Sequence, residues 1–190
     1  MATQTPWGKA QHSKVITRGI IFYSTAGHGG IHVSAGKNKL IPAALRRDDG
    51  WYEEDCEADK VVMSFPALFT LEQVAGARKG VKTWFPHQYE AATGETVLIE
   101  ESYTLQREKF ERDTAGKYVV VSACGSTSWE PCPEGFVVVL ATIGGKREFG
   151  FPGSIRKLIP SAEYAKRHPS LGFIIENPAQ YPDYVKAQGA

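Results

Sequence analysis

The residues most suited to chemistry are gathered in one short stretch, YSTAGHGGIHVS, residues 23–34. Two histidines, His28 and His32, stand beside three glycines there. This composition is typical of three features: a loop that binds phosphate, a catalytic turn and a tight hairpin. The neighbouring residues distinguish them.

Phosphate binding has the least support of the three. A phosphate-binding P-loop continues from its last glycine into a lysine, a serine or threonine and then a helix. Here Gly30 is followed by Ile31, and IHVS alternates apolar and polar residues as a strand does. The pattern therefore predicts a hairpin in which the glycines supply positive φ angles at the turn.

A cysteine nucleophile is also poorly supported. Cys56 lies near the start of a predicted helix, whose dipole stabilises a thiolate by about 0.3–1 kcal/mol. Carboxylates surround Cys56 in the sequence, and their charge opposes the thiolate more strongly than the dipole favours it. An enzyme that uses His28, His32 and Cys56 on an anionic substrate held at the glycine turn is kept as an alternative.

No metal site and no cofactor are predicted. The chain contains neither CxxC nor HExxH, the spacings typical of zinc ligands. His28 and His32 would supply two ligands at most, so both are interpreted as structural or surface residues.

An acidic segment is the predicted partner-binding surface. Residues 51–65, WYEEDCEADKVVMSF, are predicted to form a helix with acids in its first turns, where the helix dipole favours them. Charge of this sign steers association with a basic protein surface. The predicted partner-binding residues are Asp48, Asp49, Tyr52, Glu53, Glu54, Asp55, Glu57 and Asp59.

The composition of the chain is ordinary for a globular protein. Of its 190 residues, 42% are hydrophobic and 23% are charged, and the formal net charge is +1. This balance gives no general attraction to nucleic acid or anionic lipid, so direct nucleic-acid binding is not expected. No apolar run approaches the ~20 residues that span a bilayer. Three cysteines in a chain of this size indicate a reducing compartment, so we expect a cytoplasmic protein with no membrane partner.

Several elements follow from local patterns. A hairpin is predicted from the strands within residues 15–34, and valine-rich strands are predicted at 117–123 and 135–142. A capping box predicts a helix that begins at Thr70, and prolines at a first helical position predict short helices from Pro86 and Pro160. A longer amphipathic helix is predicted from Ile99. REFGF at 147–151 is interpreted as a further strand.

The chain also contains an internal echo. KLIPAALRR (39–47) and KLIPSAEYAKR (157–167) share four residues, and GIIFYSTAGHGG upstream of the first is similar to GFVVVLATIGG upstream of the second. Each copy is interpreted as strand, glycine turn, strand and proline-started helix. The second copy keeps Gly144 and Gly145 but has no histidine. This difference favours a turn role for the glycines and leaves the histidines incidental.

These elements predict an α+β fold. A single domain, residues 1–190, is expected to contain an antiparallel sheet built from the two echoed modules, at about 15–47 and 117–167. Several helices are inserted between the modules, at about 51–115.

Five segments carry a resemblance to a known family: TPWGKAQH, STAGHGGIHVS, WYEEDCEADKVVMSFP, KLIPSAEYAKR and GFIIENPAQYP. Over nearly the whole chain they resemble an uncharacterised family of small accessory proteins encoded on phages and plasmids of Gram-negative bacteria. The resemblance implies a mobile-element context and a location in the host bacterial cell. It assigns no catalytic residue.

The leading functional hypothesis is a non-enzymatic protein-binding accessory factor. Its expected partner is a host protein or nucleoprotein complex, and its expected effect is inhibition of host defence, in the manner of anti-CRISPR or anti-restriction proteins. A DNA-associated accessory factor is the third possibility, beside the Cys/His-dependent enzyme. The sequence leaves the oligomeric state open.

Overall fold

The structure is a computed structural model that describes residues 3–126 and 131–185. It contains helices and antiparallel sheets, which confirms the predicted α+β class. Contacts within the chain divide it into two compact units, Met1–Gln106 and Arg107–Ala190. Such a division does not test whether the chain folds as one domain, so the single-domain organisation stays a prediction.

The first unit contains a small hairpin and a four-stranded antiparallel sheet in the order β3-β4-β5-β6. The strands are β1 (Gln4–Thr5), β2 (Gly8–Lys9), β3 (His12–Thr17), β4 (Ile20–Ser24), β5 (Gly29–Val33) and β6 (Trp51–Glu53). The helices are α1 (Ala35–Asn38), α2 (Ala58–Ser64), α3 (Leu71–Trp84) and α4 (Pro86–Thr93). Single 3₁₀ turns lie at Ala43–Leu45, Pro66–Leu68 and Ile99–Glu101. Helix α5 (Tyr103–Asp113) begins in this unit, and its residues from Arg107 onward belong to the second.

One face of this sheet forms the core of the unit. Cross-strand neighbours Phe22, Ile31 and Tyr52 share that face. They belong to one apolar cluster with Val61 of α2 and Val81 of α3. Since side chains alternate along a strand, the residues between them point to the opposite face, which is called the outer face below.

The helix predicted over residues 51–65 is wrong in its first half. Trp51–Glu53 is strand β6, paired with Gly30–His32 of β5, and α2 begins only at Ala58. The sequence WYE alternates in burial as a strand does, and long-range pairing with β5 decides the outcome. The capping box at Thr70 is confirmed: its hydroxyl accepts the Gln73 N–H and the Gln73 side chain accepts the Thr70 N–H.

The second unit contains another four-stranded antiparallel sheet, in the order β10-β7-β8-β9. The elements are β7 (Tyr118–Cys124), β8 (Phe136–Ile143), β9 (Ile155–Pro160), α6 (Ser161–Tyr164) and β10 (Ile174–Ile175), with a 3₁₀ turn at Pro178–Gln180. Residues 147–151 are not a strand, so that prediction is wrong. The third strand of the run is β9, whose last residue is Pro160.

The two echoed modules lie in separate sheets and are not paired with each other among the described residues. At their ends they do agree. Pro42 and Pro160 have similar backbone angles, φ −48° and ψ 137° against φ −54° and ψ 131°, and each caps the start of a short helical turn. The three residues before Pro160 belong to strand β9, whereas those before Pro42 form a turn after α1, so the echo is structural only in part.

Within residues 3–126 and 131–185, no helix combines the length and the apolar character that a membrane crossing requires.

Candidate functional site

The loop of the β4–β5 hairpin is fixed by Thr25. Its backbone N–H and its hydroxyl both donate to the carbonyl oxygen of His28, each at 2.7 Å, and its hydroxyl accepts the His28 N–H at 3.2 Å. Gly27 in this loop does not have a positive φ. The predicted hairpin is present, but a threonine rather than a glycine conformation closes it.

Gly29 and Gly30 lie in strand β5, and neither has a positive φ, so their predicted turn role is wrong. A Cβ atom on Gly30 would come within 3.0 Å of both the Trp7 ring and the carbonyl oxygen of Tyr52. A Cβ atom on Gly29 would come within 3.0 Å of the carbonyl oxygen of Tyr23 and would also meet the movable Glu54 carboxylate. These glycines are therefore required by the close approach of other groups.

The ring over Gly30 comes from the small N-terminal hairpin. Trp7 lies in the turn between β1 and β2, and its backbone N–H donates to the hydroxyl of buried Thr5 at 3.2 Å. The same hydroxyl donates to the carbonyl oxygen of Gly8 at 2.8 Å. This short hairpin holds the Trp7 ring so close to Gly30 that only a residue without a side chain fits there.

Four partly exposed rings meet on the outer face. Trp51 is their centre, with ring centroids 5.8 Å from Trp7, 5.6 Å from Tyr23 and 4.5 Å from His32. Strand register explains the meeting, because His32 pairs with Trp51 and Tyr23 pairs with Gly30. We call Trp7, Tyr23, His32 and Trp51 the aromatic face. Burial lowers the pKa of His32, so its ring is neutral at pH 7.

A polar cluster adjoins the aromatic face. The Nδ1 atom of His28 is 3.2 Å from Oε1 of Glu53, and Oε2 of Glu53 accepts the backbone N–H of Asp55 at 2.9 Å. One ligand atom from each of His28, Glu53 and Asp55 lies within 4.8 Å of the others. We call these three residues the polar triad. The sequence prediction considered His28 and His32 as the local pair of ligands and did not place Glu53 and Asp55 beside His28.

The predicted acidic partner-binding surface does not form one face. Tyr52 is fully buried: its hydroxyl donates to Oδ1 of Asn38 at 2.7 Å and accepts the backbone N–H of Arg47. The guanidinium of Arg47 pairs with Asp49 at 3.1 Å and with Glu57 at 2.7 Å. Tyr52 is thus part of the core, and two of the acids are neutralised within the chain.

The other predicted acids are dispersed. Asp48, Glu54 and Asp55 are exposed, whereas Glu53 is only partly so. Asp59 is half-buried, and burial raises its pKa to about 6. Contact with a partner stays a prediction for the exposed acids.

The three residues of the alternative enzyme have different surroundings. His28 faces Glu53, His32 stacks on Trp51, and no hydrogen bond joins either of them to Cys56 within the described part of the chain. Burial raises the pKa of the Cys56 thiol, and the charges of Glu53 and Glu57 raise it further. The direction agrees with the sequence prediction, although burial is the larger cause. This arrangement does not activate a thiol.

The chain belongs to the family described as a domain of unknown function, DUF7007, which matches residues 1–115. The predicted membership of an uncharacterised family is thus confirmed for that part of the chain. The match contains the whole first unit, including the aromatic face and the polar triad. No curated protein and no solved structure matches the chain.

Proposed function

We propose that this protein is a non-enzymatic binding protein that engages a protein partner through the aromatic face. One observation carries the proposal: Trp7, Tyr23 and His32 surround Trp51 on the side of the sheet opposite the core, and each ring is partly exposed. Tryptophan and tyrosine are the residues most enriched among those that dominate protein–protein binding energy.

The rings are held in place before any partner arrives. Trp51 and His32 lie on paired strands, Tyr23 lies on the next strand, and the Thr5 hydroxyl fixes the backbone at Trp7. Rings on rigid elements lose little conformational entropy on binding, and a preorganised surface thereby avoids one of the costs of association. The aromatic face therefore has the properties of a preformed binding surface.

Local charge supports a protein partner with a basic surface. Glu53 shares strand β6 and the outer face with Trp51, and Asp55 donates its backbone N–H to the Glu53 carboxylate. Carboxylates around exposed rings repel the phosphates of a nucleic acid. The same carboxylates attract lysine and arginine side chains of a protein.

The specific form of the proposal is inhibition of host defence by a protein of a mobile element. It is supported by the resemblance to phage and plasmid accessory proteins and by the acidic rim of the aromatic face. Defence complexes that act on nucleic acid present basic surfaces, for which acids around an apolar centre are a suitable complement.

The test is affinity capture from a nuclease-treated bacterial lysate, with the full chain and two variants. Trp51→Ala removes the centre of the aromatic face, and Leu71→Ala is the matched control. Leu71 is 91% exposed on α3, within the same unit. We expect one host protein, bound by the wild type and by Leu71→Ala, to bind Trp51→Ala at least about 30-fold more weakly, the loss typical of a dominant interface residue.

Equal capture by Trp51→Ala and the wild type would refute the aromatic face as the binding surface. Circular dichroism establishes that Trp51→Ala is folded, and Trp51→Phe, which keeps a ring, should retain part of the binding. Inhibition of host defence is tested by the survival of a phage or plasmid in a bacterial host that has an active defence system. Survival should fall when the element carries Trp51→Ala and should not fall when it carries Leu71→Ala. Survival unaffected by either variant would refute the role in host defence.

A further inference from the structure

We propose that the polar triad, His28, Glu53 and Asp55, is a binding site for a divalent first-row transition metal ion of the Zn²⁺ or Mn²⁺ type. The proposal concerns the chain alone and is tested without the partner proposed above, although Glu53 and Asp55 also belong to the carboxylates that would attract that partner.

Strand pairing brings the three residues together. Gly30 of β5 pairs with Glu53 of β6, and the Glu54 N–H donates to the Gly29 carbonyl oxygen at 3.1 Å. Glu53 belongs to the outer face because it follows buried Tyr52 in β6. His28 directly precedes β5, and Asp55 lies two residues after the end of β6. The pairing of the two strands therefore brings both of them close to Glu53.

The spacing suits a shared ion. Metal–ligand distances of about 2.0–2.1 Å place neighbouring ligand atoms of a tetrahedral site about 3.3 Å apart. The Nδ1 atom of His28 and Oε1 of Glu53 are 3.2 Å apart. One carboxylate oxygen of exposed Asp55 lies within 4.8 Å of a ligand atom of each of the other two residues, and an exposed side chain has the freedom to close the remaining distance.

The two oxygens of Glu53 have different roles. Oε2 accepts the Asp55 N–H and thereby fixes the carboxylate. Oε1 is buried and accepts no hydrogen bond, although His28 Nδ1 is within 3.2 Å of it. A buried carboxylate oxygen without a donor is costly, and a cation between this oxygen and the imidazole nitrogen would satisfy both atoms.

The donor set indicates the class of metal. Imidazole nitrogen is typical of zinc and its neighbours in the first transition row, and carboxylate oxygen is equally suited to Mn²⁺. Mg²⁺ and Ca²⁺ prefer oxygen alone. Three protein ligands leave at least one coordination position for water or for an oxygen atom of a bound partner.

The test is isothermal titration of the full chain with Zn²⁺ and Mn²⁺, with Mg²⁺ and Ca²⁺ for comparison. Three variants each remove one ligand with little change of shape: His28→Gln, Glu53→Gln and Asp55→Asn. Two controls change an exposed residue of the same type elsewhere in the unit: His12→Gln and Asp48→Asn. We expect one transition-metal ion per chain, bound at least about 10-fold more weakly by each ligand variant and unchanged in the controls.

Three outcomes would overturn the proposal. The first is that the wild type binds Zn²⁺ and Mn²⁺ no more tightly than His28→Gln does. The second is that the control variants lose as much metal affinity as the ligand variants. The third is that the wild type binds Mg²⁺ or Ca²⁺ more tightly than either transition metal. Thermal unfolding without metal shows whether each variant is folded. When Zn²⁺ is added, the unfolding temperature should rise for the wild type and for the two controls, and it should not rise for the three ligand variants. Because metal binding is measured without a partner, its failure can be distinguished from a failure to capture a host protein.

Discussion

Two glycine pairs that look equivalent in the sequence have different physical roles. Gly144 and Gly145 follow strand β8 with φ values of 65° and 69°, a left-handed conformation that favours glycine. Gly29 and Gly30 lie inside strand β5 with no positive φ. The later pair allows a left-handed backbone conformation, and the earlier pair allows neighbouring groups to approach the strand closely.

This difference explains why the earlier region is the functional candidate. The absence of a side chain at Gly30 lets Trp7 lie against the sheet beside Trp51, and thus lets the aromatic face form. Nothing comparable crosses Gly144, where the nearest atom to an added Cβ is 3.6 Å away, an ordinary contact. The earlier pair also lies within the family match at residues 1–115, whereas the later pair lies beyond it.

The largest expected effect is that of Gly30→Ala. An added Cβ would overlap the Tyr52 carbonyl oxygen and the Trp7 ring, and the carbonyl oxygen belongs to the backbone of a paired strand that cannot shift alone. We expect the free energy of unfolding to fall by about 3 kcal/mol, at the upper end of overpacking costs. Urea unfolding measures it. A loss below that of Gly144→Ala would contradict the close-approach role.

A smaller effect is expected for Gly144→Ala. Space is available there, so the cost is that of placing an L-residue at a φ of 65°, about 1–2 kcal/mol. The same urea unfolding measures it, with Gly125→Ala as a control at an open position without a positive φ. A Gly144→Ala protein as stable as that control would show that this turn does not need glycine.

Much of the local structure was predictable, because it depends on neighbouring residues. The capping box at Thr70 and the Pro86 helix, with Gly94 at its left-handed end, are both present. Strand β6 was not predictable from periodicity, since Trp51–Glu53 is too short to distinguish strand from helix without its partner β5. The aromatic face and the polar triad depend on that same pairing, so they too were beyond a local interpretation.

The smallest expected effect is that of Asp59→Asn. The Asp59 carboxylate lies close to Gly80 on α3, a third glycine at which an added Cβ would overlap a neighbouring group. Burial raises the pKa of Asp59 from 3.8 to about 6. The folded state therefore holds this proton more tightly, and the stability it contributes is complete below pH 3.8 and is lost as the pH rises through 6. Asp59→Asn should be about 1 kcal/mol more stable than the wild type at pH 8, since solvent access limits the penalty.

At pH 3.5 the Asp59→Asn protein and the wild type should be nearly equal, because both side chains are then uncharged. Urea unfolding at the two pH values checks the sign. A variant that is stabilised equally at both values would show that ionisation of Asp59 is not the cause.

The most direct test of the different roles of Gly30 and Gly144 compares asparagine with alanine at each position, by the free energy of unfolding in urea. Asparagine tolerates a left-handed backbone better than alanine but is larger. The close-approach role predicts that Gly30→Asn is at least as destabilising as Gly30→Ala, while Gly144→Asn is less destabilising than Gly144→Ala. If asparagine were the milder substitution at Gly30, that glycine would be serving the backbone, and the account of how the aromatic face forms would be contradicted.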